Sequence, residues 1–77
     1  MSDQVDIELD LSGLHCPMPL LKTRQALNKM QSGMTIRVIS TDPGSERDFQ
    51  VFSRQSGIAL EKFEKRDNHF IYRLRKP

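Results

Sequence analysis

Cys16 is the one cysteine of 77 residues, with Pro17 directly after it and Pro19 two residues further on. A proline pushes the residue before it out of the helical region, so Cys16 is expected at a helix N-cap or just ahead of it. Pro17 suits the first helical position and Pro19 is tolerated in the first turn. The thiol then lies within about one turn of a helix N-terminus. That end presents unpaired N–H groups and roughly half a positive charge, so Cys16 is expected to be exposed and more acidic than a free cysteine. The thiolate is the nucleophilic form. The two prolines, with Gly13 loosening the turn ahead of them, are expected to fix the sulfur in place more than they hold the fold. A buried and inert thiol is the competing reading, because free cysteine is commonly a packing residue. Against it stands the position of Cys16 in a turn, beyond the apolar series of the preceding strand.

The remaining reactive side chains carry weaker signals. His15 adjoins the thiol, but neighbours in an extended stretch point apart, so it reads as a bystander or partner contact. His69 reads as a strand surface residue. One cysteine and two scattered histidines make no metal site, and no glycine-rich phosphate loop occurs. Ser45 and Ser53 have no base at motif spacing. Asp10, Asp42 and Asp48 read as strand surface, helix cap and helix surface.

The elements that must position Cys16 follow from periodicity. Val5, Ile7, Leu9 and Leu11 alternate with acids, which predicts a strand with one buried face. From Pro17 to Gln31 the spacing becomes helical, with Leu20, Leu21, Leu27 and Met30 inward and Lys22 and Lys29 outward. Gly33 is the expected left-handed cap. Met34, Ile36 and Val38 predict an inward series on a second strand, with Thr35 and Arg37 outward. Asp42 and Pro43 read as the N-cap and first residue of a second helix that runs to about Ser56 on Phe49 and Phe52, with Gly57 as its stop. "IALEKFEK" predicts a third strand with a slip between Leu60 and Phe63 that marks a bulge. "RDN" is a turn, and "HFIYRLR" is a fourth strand with Phe70, Tyr72 and Leu74 on one face. The order βαβαββ predicts an α/β two-layer sandwich: a four-stranded mixed sheet with two helices on one face, in a single domain over residues 1–77.

Composition bounds what such a domain does. A chain this short buries about 60–65% of its unfolded surface, which leaves no room for a deep enclosed site. The first ten residues carry four acids and no base, unlike the start of a signal peptide, and no apolar run reaches membrane-spanning length. With no disulfide framework, a reducing, cytoplasmic setting is expected. Residues 1–10 sum to −4, residues 11–60 to +3 and residues 61–77 to +3. The basic remainder, including Lys62, Lys65, Arg66, Arg73, Arg75 and Lys76, could steer an acidic partner. It lacks interleaved aromatics and any known nucleic-acid motif.

"ELDLSGLHCPMPLLKTRQAL" and "STDPGSERDF" together resemble the TusA family of small sulfur carriers, also called SirA-like. The resemblance rests on Asp10, Gly13, Leu14, Cys16, Pro17 and Pro19, and on Asp42, Pro43 and Asp48. It implies that Cys16 accepts sulfane sulfur as a persulfide and relays it, with Gly13, Pro17 and Pro19 in support. The implied donor is a cysteine desulfurase or a rhodanese-like protein. The acceptor is a second protein, on routes such as tRNA thiolation, molybdenum-cofactor synthesis or sulfur oxidation. A monomeric carrier rather than a stand-alone enzyme is implied, with no cofactor and no direct nucleic-acid contact. Chemistry agrees: one cysteine cannot expel sulfur by forming its own disulfide, so a partner thiol or a reductant must take it. A thiol-based redox or regulatory module and a small nucleic-acid-binding module are the alternatives.

Overall fold

A computed structural model describes residues 5–77; Asp3, one of the acids of the acidic beginning, lies outside the described residues. The elements are β1 (Ile7–Leu11), α1 (Met18–Asn28), β2 (Thr35–Ser40), α2 (Ser45–Ser56), β3 (Ala59–Arg66) and β4 (His69–Arg75). The sheet order is β1-β2-β4-β3. β1 and β2 are parallel, while β4 is antiparallel to both β2 and β3. The α/β reading and the βαβαββ order therefore hold. The expected bulge is the register shift between Leu60 and Lys62. Asp67, at φ 55°, opens the β3–β4 turn in the left-handed region that aspartate tolerates.

The inward strand residues Ile36, Val38, Phe70, Tyr72 and Leu74 form one core with Leu11, Leu27, Met30 and Phe49. The Phe49 ring stacks on that of Tyr72 with centroids 4.2 Å apart, joining α2 to β4. The Tyr72 hydroxyl shares a 2.7 Å hydrogen bond with the hydroxyl of buried Ser45. Burial pushes the phenol up to about 12 against the weaker lowering effect of that bond.

Several local expectations are corrected. β1 begins at Ile7, after Asp6, whose carboxylate accepts the Thr35 N–H at 2.8 Å and whose own N–H donates to the Thr35 carbonyl at 3.0 Å. Thr35, expected outward, is buried by the same contact region. On α1 the inward line is Pro19, Thr23 and Leu27, while Leu21 is 42% exposed. Thr23 is tolerated there because its hydroxyl donates to the Pro19 carbonyl at 2.8 Å. α1 ends at Asn28, before Gln31, and Lys29 is its C-cap. Gly33, at φ 89°, instead bends the chain into β2 and donates its N–H to Lys76 at 2.8 Å. Asp42 caps no helix through its side chain. Its carbonyl accepts the Ser45 N–H at 3.0 Å, so Asp42 to Ser45 is a turn and α2 starts at Ser45. Gly57, at φ 78°, ends α2 as expected.

Candidate functional site

Leu11 pairs with Ser40 at the last position of the parallel β1–β2 ladder. Parallel strands end at the same edge, so the loops that leave them lie side by side. The first loop carries Cys16 and the second opens α2. They are fastened together: the Gly13 N–H donates to Thr41 Oγ1 at 2.9 Å, with Gly13 at φ 87°. A residue with a Cβ is disfavoured at that angle. Asp10, expected to be a plain surface charge, accepts the Ser12 hydroxyl at 2.6 Å and the Ser12 N–H at 3.1 Å. These bonds hold its carboxyl below the usual range.

Cys16 is exposed at the head of α1, with a cis peptide bond to Pro17. Pro17 occupies the N-cap, one residue before its expected place, and Met18 begins the helix. The chain closes over this point through the Met18 N–H to the His15 carbonyl at 2.8 Å and the Leu21 N–H to the Pro17 carbonyl at 3.1 Å. Pro19 is fully buried beneath the thiol turn. It belongs to the core as well as to the site, which corrects the view of the prolines as positioning residues above all. His15 is exposed, and the hydrogen bond of the thiol goes elsewhere.

The Cys16 Sγ–H donates to Asp48 Oδ2 at 3.1 Å. Asp48 stands in the first turn of α2, its own N–H bonded to the Gly44 carbonyl at 3.2 Å. The expected acidic thiol is overturned here. Asp48 accepts a hydrogen bond from the neutral thiol and repels the thiolate, so that hydrogen bond is the main cause that raises the Cys16 pKa. Desolvation and the charges of Asp48 and Asp42 add to it. Periodicity reads Asp48 as helix surface, and the resemblance includes it in the second stretch without placing it against the thiol. The signal that could have found it is its place at the start of α2, at the sheet edge where the Cys16 turn must also lie.

A groove of about 410 Å³ runs between the helices beside this pair, lined by Leu20, Arg24, Arg47, Asp48, Val51, Phe52 and Gln55. Arg24 lies over the Phe52 ring at 5.8 Å. Met18, Leu21 and Val51 are large apolar side chains left exposed on these helices. The terminal basic cluster, by contrast, is largely matched within the fold. Arg75 and Arg73 meet Glu61, Arg66 meets Glu64, and Lys76 donates to the Leu27 carbonyl at 2.7 Å. Among the described residues, no group of three or more His, Cys, Asp or Glu side chains could hold a metal ion. No helix among them is long and apolar enough to cross a membrane.

Comparisons with known proteins agree with one another. The family model described as sulfurtransferase TusA matches residues 7–76. The sulfur carrier protein TusA of Allochromatium vinosum is 44% identical over 71 residues, covering 92% of this chain and 93% of that one. A putative sulfur carrier protein of Aquifex aeolicus is 48% identical over 71 residues, which cover 36% of its length. The solved SirA-like protein of Desulfitobacterium hafniense has the same fold, with a TM-score of 0.78 at 23% identity over 90% of this chain and 95% of that one.

Proposed function

Because this chain belongs to the TusA family, we propose that it is a sulfur carrier whose cargo is a single sulfane sulfur held as a persulfide on Cys16. The observation that carries this reading is the placement of the chain's one cysteine. Cys16 is exposed directly ahead of the N-cap of α1, with buried Pro19 in the turn that follows and a carboxylate beside it. Gly13, Pro17 and Pro19 support it. Gly13 gives the turn its left-handed bend, Pro17 caps α1, and Pro19 roots the turn in the core.

A donor persulfide presents its terminal sulfur at this exposed edge. Cys16 Sγ bonds to that sulfur as the donor's S–S bond breaks, and the donor leaves as a thiol. The product persulfide is in turn open to attack by an acceptor's thiol, which takes the terminal sulfur and frees Cys16. No electrons enter or leave. With no second cysteine in the chain, the cargo cannot be expelled as an internal disulfide, and partners must act at both ends. The donor is a cysteine desulfurase or a rhodanese-like protein, and the acceptor is a second protein that feeds tRNA thiolation, molybdenum-cofactor synthesis or sulfur oxidation. Residues 1–77 act as one monomeric carrier domain in the cytoplasm, where a lone thiol stays reduced.

Partners dock over the thiol edge. Met18, Leu21 and Val51 offer apolar contact there, and Arg24 and Arg47 offer positive charge to an acidic partner surface. The test is transfer of label from ³⁵S-cysteine through a cysteine desulfurase. Label on the chain that a reductant releases supports the carrier. Absence of label with this donor and with a rhodanese-like donor contradicts it.

A further inference from the structure

Asp48 has no function in the relay as described so far, yet it holds the reacting atom. Its Oδ2 lies 3.1 Å from Cys16 Sγ, within the reach required of a proton-transfer partner. Its backbone is fixed in the first turn of α2. Resting on the carrier reading, we propose that Asp48 handles the proton of sulfur transfer: it holds the Cys16 proton in the unloaded carrier and passes it to the donor's departing sulfur.

The chemistry explains why a carboxylate suits this place. A persulfide is a stronger acid than its parent thiol, so a donor arrives as R–S–S⁻. A Cys16 thiolate would meet it as a second anion. With the Asp48 carboxylate already beside it, a Cys16 thiol meets the donor with one negative charge fewer than a thiolate would. As Sγ bonds to the terminal sulfur, the thiol proton moves to Asp48. The S–S bond to R breaks, and the proton passes from Asp48 to the sulfur of R. The sum is Cys16–SH + R–S–S⁻ → Cys16–S–S⁻ + R–SH, balanced in atoms and charge, with no external oxidant or reductant. The loaded persulfide is ionised and needs no proton from Asp48, whose carboxylate returns to its starting state.

The charged and titratable surroundings are few. Asp42, in the turn before α2, acts on Cys16 in the same direction as Asp48. Arg24 of α1 and Arg47 of α2 line the groove that Asp48 borders. Tyr72 of β4 feels Asp48, Asp42 and Glu46 but stays protonated until far above neutral pH. His15 adjoins Cys16 in the chain.

The test uses Asp48→Asn and Asp48→Ala in the full chain, each checked for an unchanged fold by circular dichroism and melting. The first readout is the iodoacetamide alkylation rate of Cys16 against pH, which involves no partner. The second is single-turnover loading from glutathione persulfide at pH 7, read by intact mass. The proposal expects the two to move in opposite directions. Alkylation at pH 7 should become faster, because the thiolate is no longer suppressed. Loading should become slower by at least about tenfold, the low side of what proton transfer by a positioned group contributes. Asp48→Glu should recover part of the loading rate. If both rates rise together, Asp48 merely suppresses the thiolate and the proposal is overturned. It is equally overturned if loading is unchanged. A wild-type chain that never loads would sink the carrier reading itself, and the proton role with it, whatever the alkylation profile shows.

Discussion

Gly13 and Thr41 join the two loops that make the site: the Gly13 N–H donates to Thr41 Oγ1 at 2.9 Å across 28 residues of sequence. The bond ties the turn that carries Cys16 to the segment that launches α2 and Asp48. The thiol and its carboxylate thus meet through two fastened loops on one sheet edge rather than by chance proximity of long side chains.

The reactivity of the resting thiol should follow Asp48 rather than the helix end. Alkylation of the wild-type chain against pH is expected to give a midpoint above the ordinary cysteine value of ~8.5. Asp42→Asn should lower it by less than Asp48→Asn, since Asp42 acts through charge alone. The sign for stability is that of a group whose folded pKa is raised. Its contribution is present below the unfolded pKa and is lost as pH rises through the folded one. A midpoint below ~8.5 would restore the helix-end account.

Tyr72 gives the fold an alkaline limit. Its phenol titrates near 10 in the unfolded chain and at about 12 in the folded one. Between those values the unfolded chain loses a proton that the folded chain keeps, so stability falls as pH rises. Tyr72→Phe should remove this part of the slope in urea melts taken from pH 9 to pH 11. At pH 7 it should cost roughly 1–2 kcal/mol, because buried Ser45 loses its partner. An identical pH slope in both proteins would assign the alkaline loss to other groups.

Pro19→Ala should weaken both fold and transfer. Removing part of a fully buried ring costs roughly 1–2 kcal/mol, to which the freer unfolded chain adds. The loosened turn should also slow loading of Cys16. Thermal melts and single-turnover loading at a temperature where the variant is fully folded separate the two effects. Normal loading under those conditions would leave Pro19 a core residue alone.

The fold was legible because its signals are local. The alternation of Ile7, Leu9 and Leu11 and the helical spacing up to Leu27 each lie in a few consecutive residues. The register of α1 was less legible. Leu21 is as apolar as Leu20, and nothing local says that Thr23 will satisfy its hydroxyl on Pro19 and take the inward place. The exposure of Cys16 followed from Pro17 and from the turn. The electrostatics of the thiol did not, because its governing partner is 32 residues away and is reached only once β1 and β2 pair in parallel. A helix end is written in nearby sequence; a carboxylate brought by another helix is not.

The central claim is tested most directly by the intact mass of the protein after incubation with a cysteine desulfurase and cysteine, beside the same measurement on Cys16→Ser. The account predicts one added sulfur atom per wild-type chain, removed by a reductant, and none on the serine variant, which should stay folded because Cys16 is exposed. A serine variant that gains sulfur equally, or a wild-type chain that gains none from this or from a rhodanese-like donor, would contradict it.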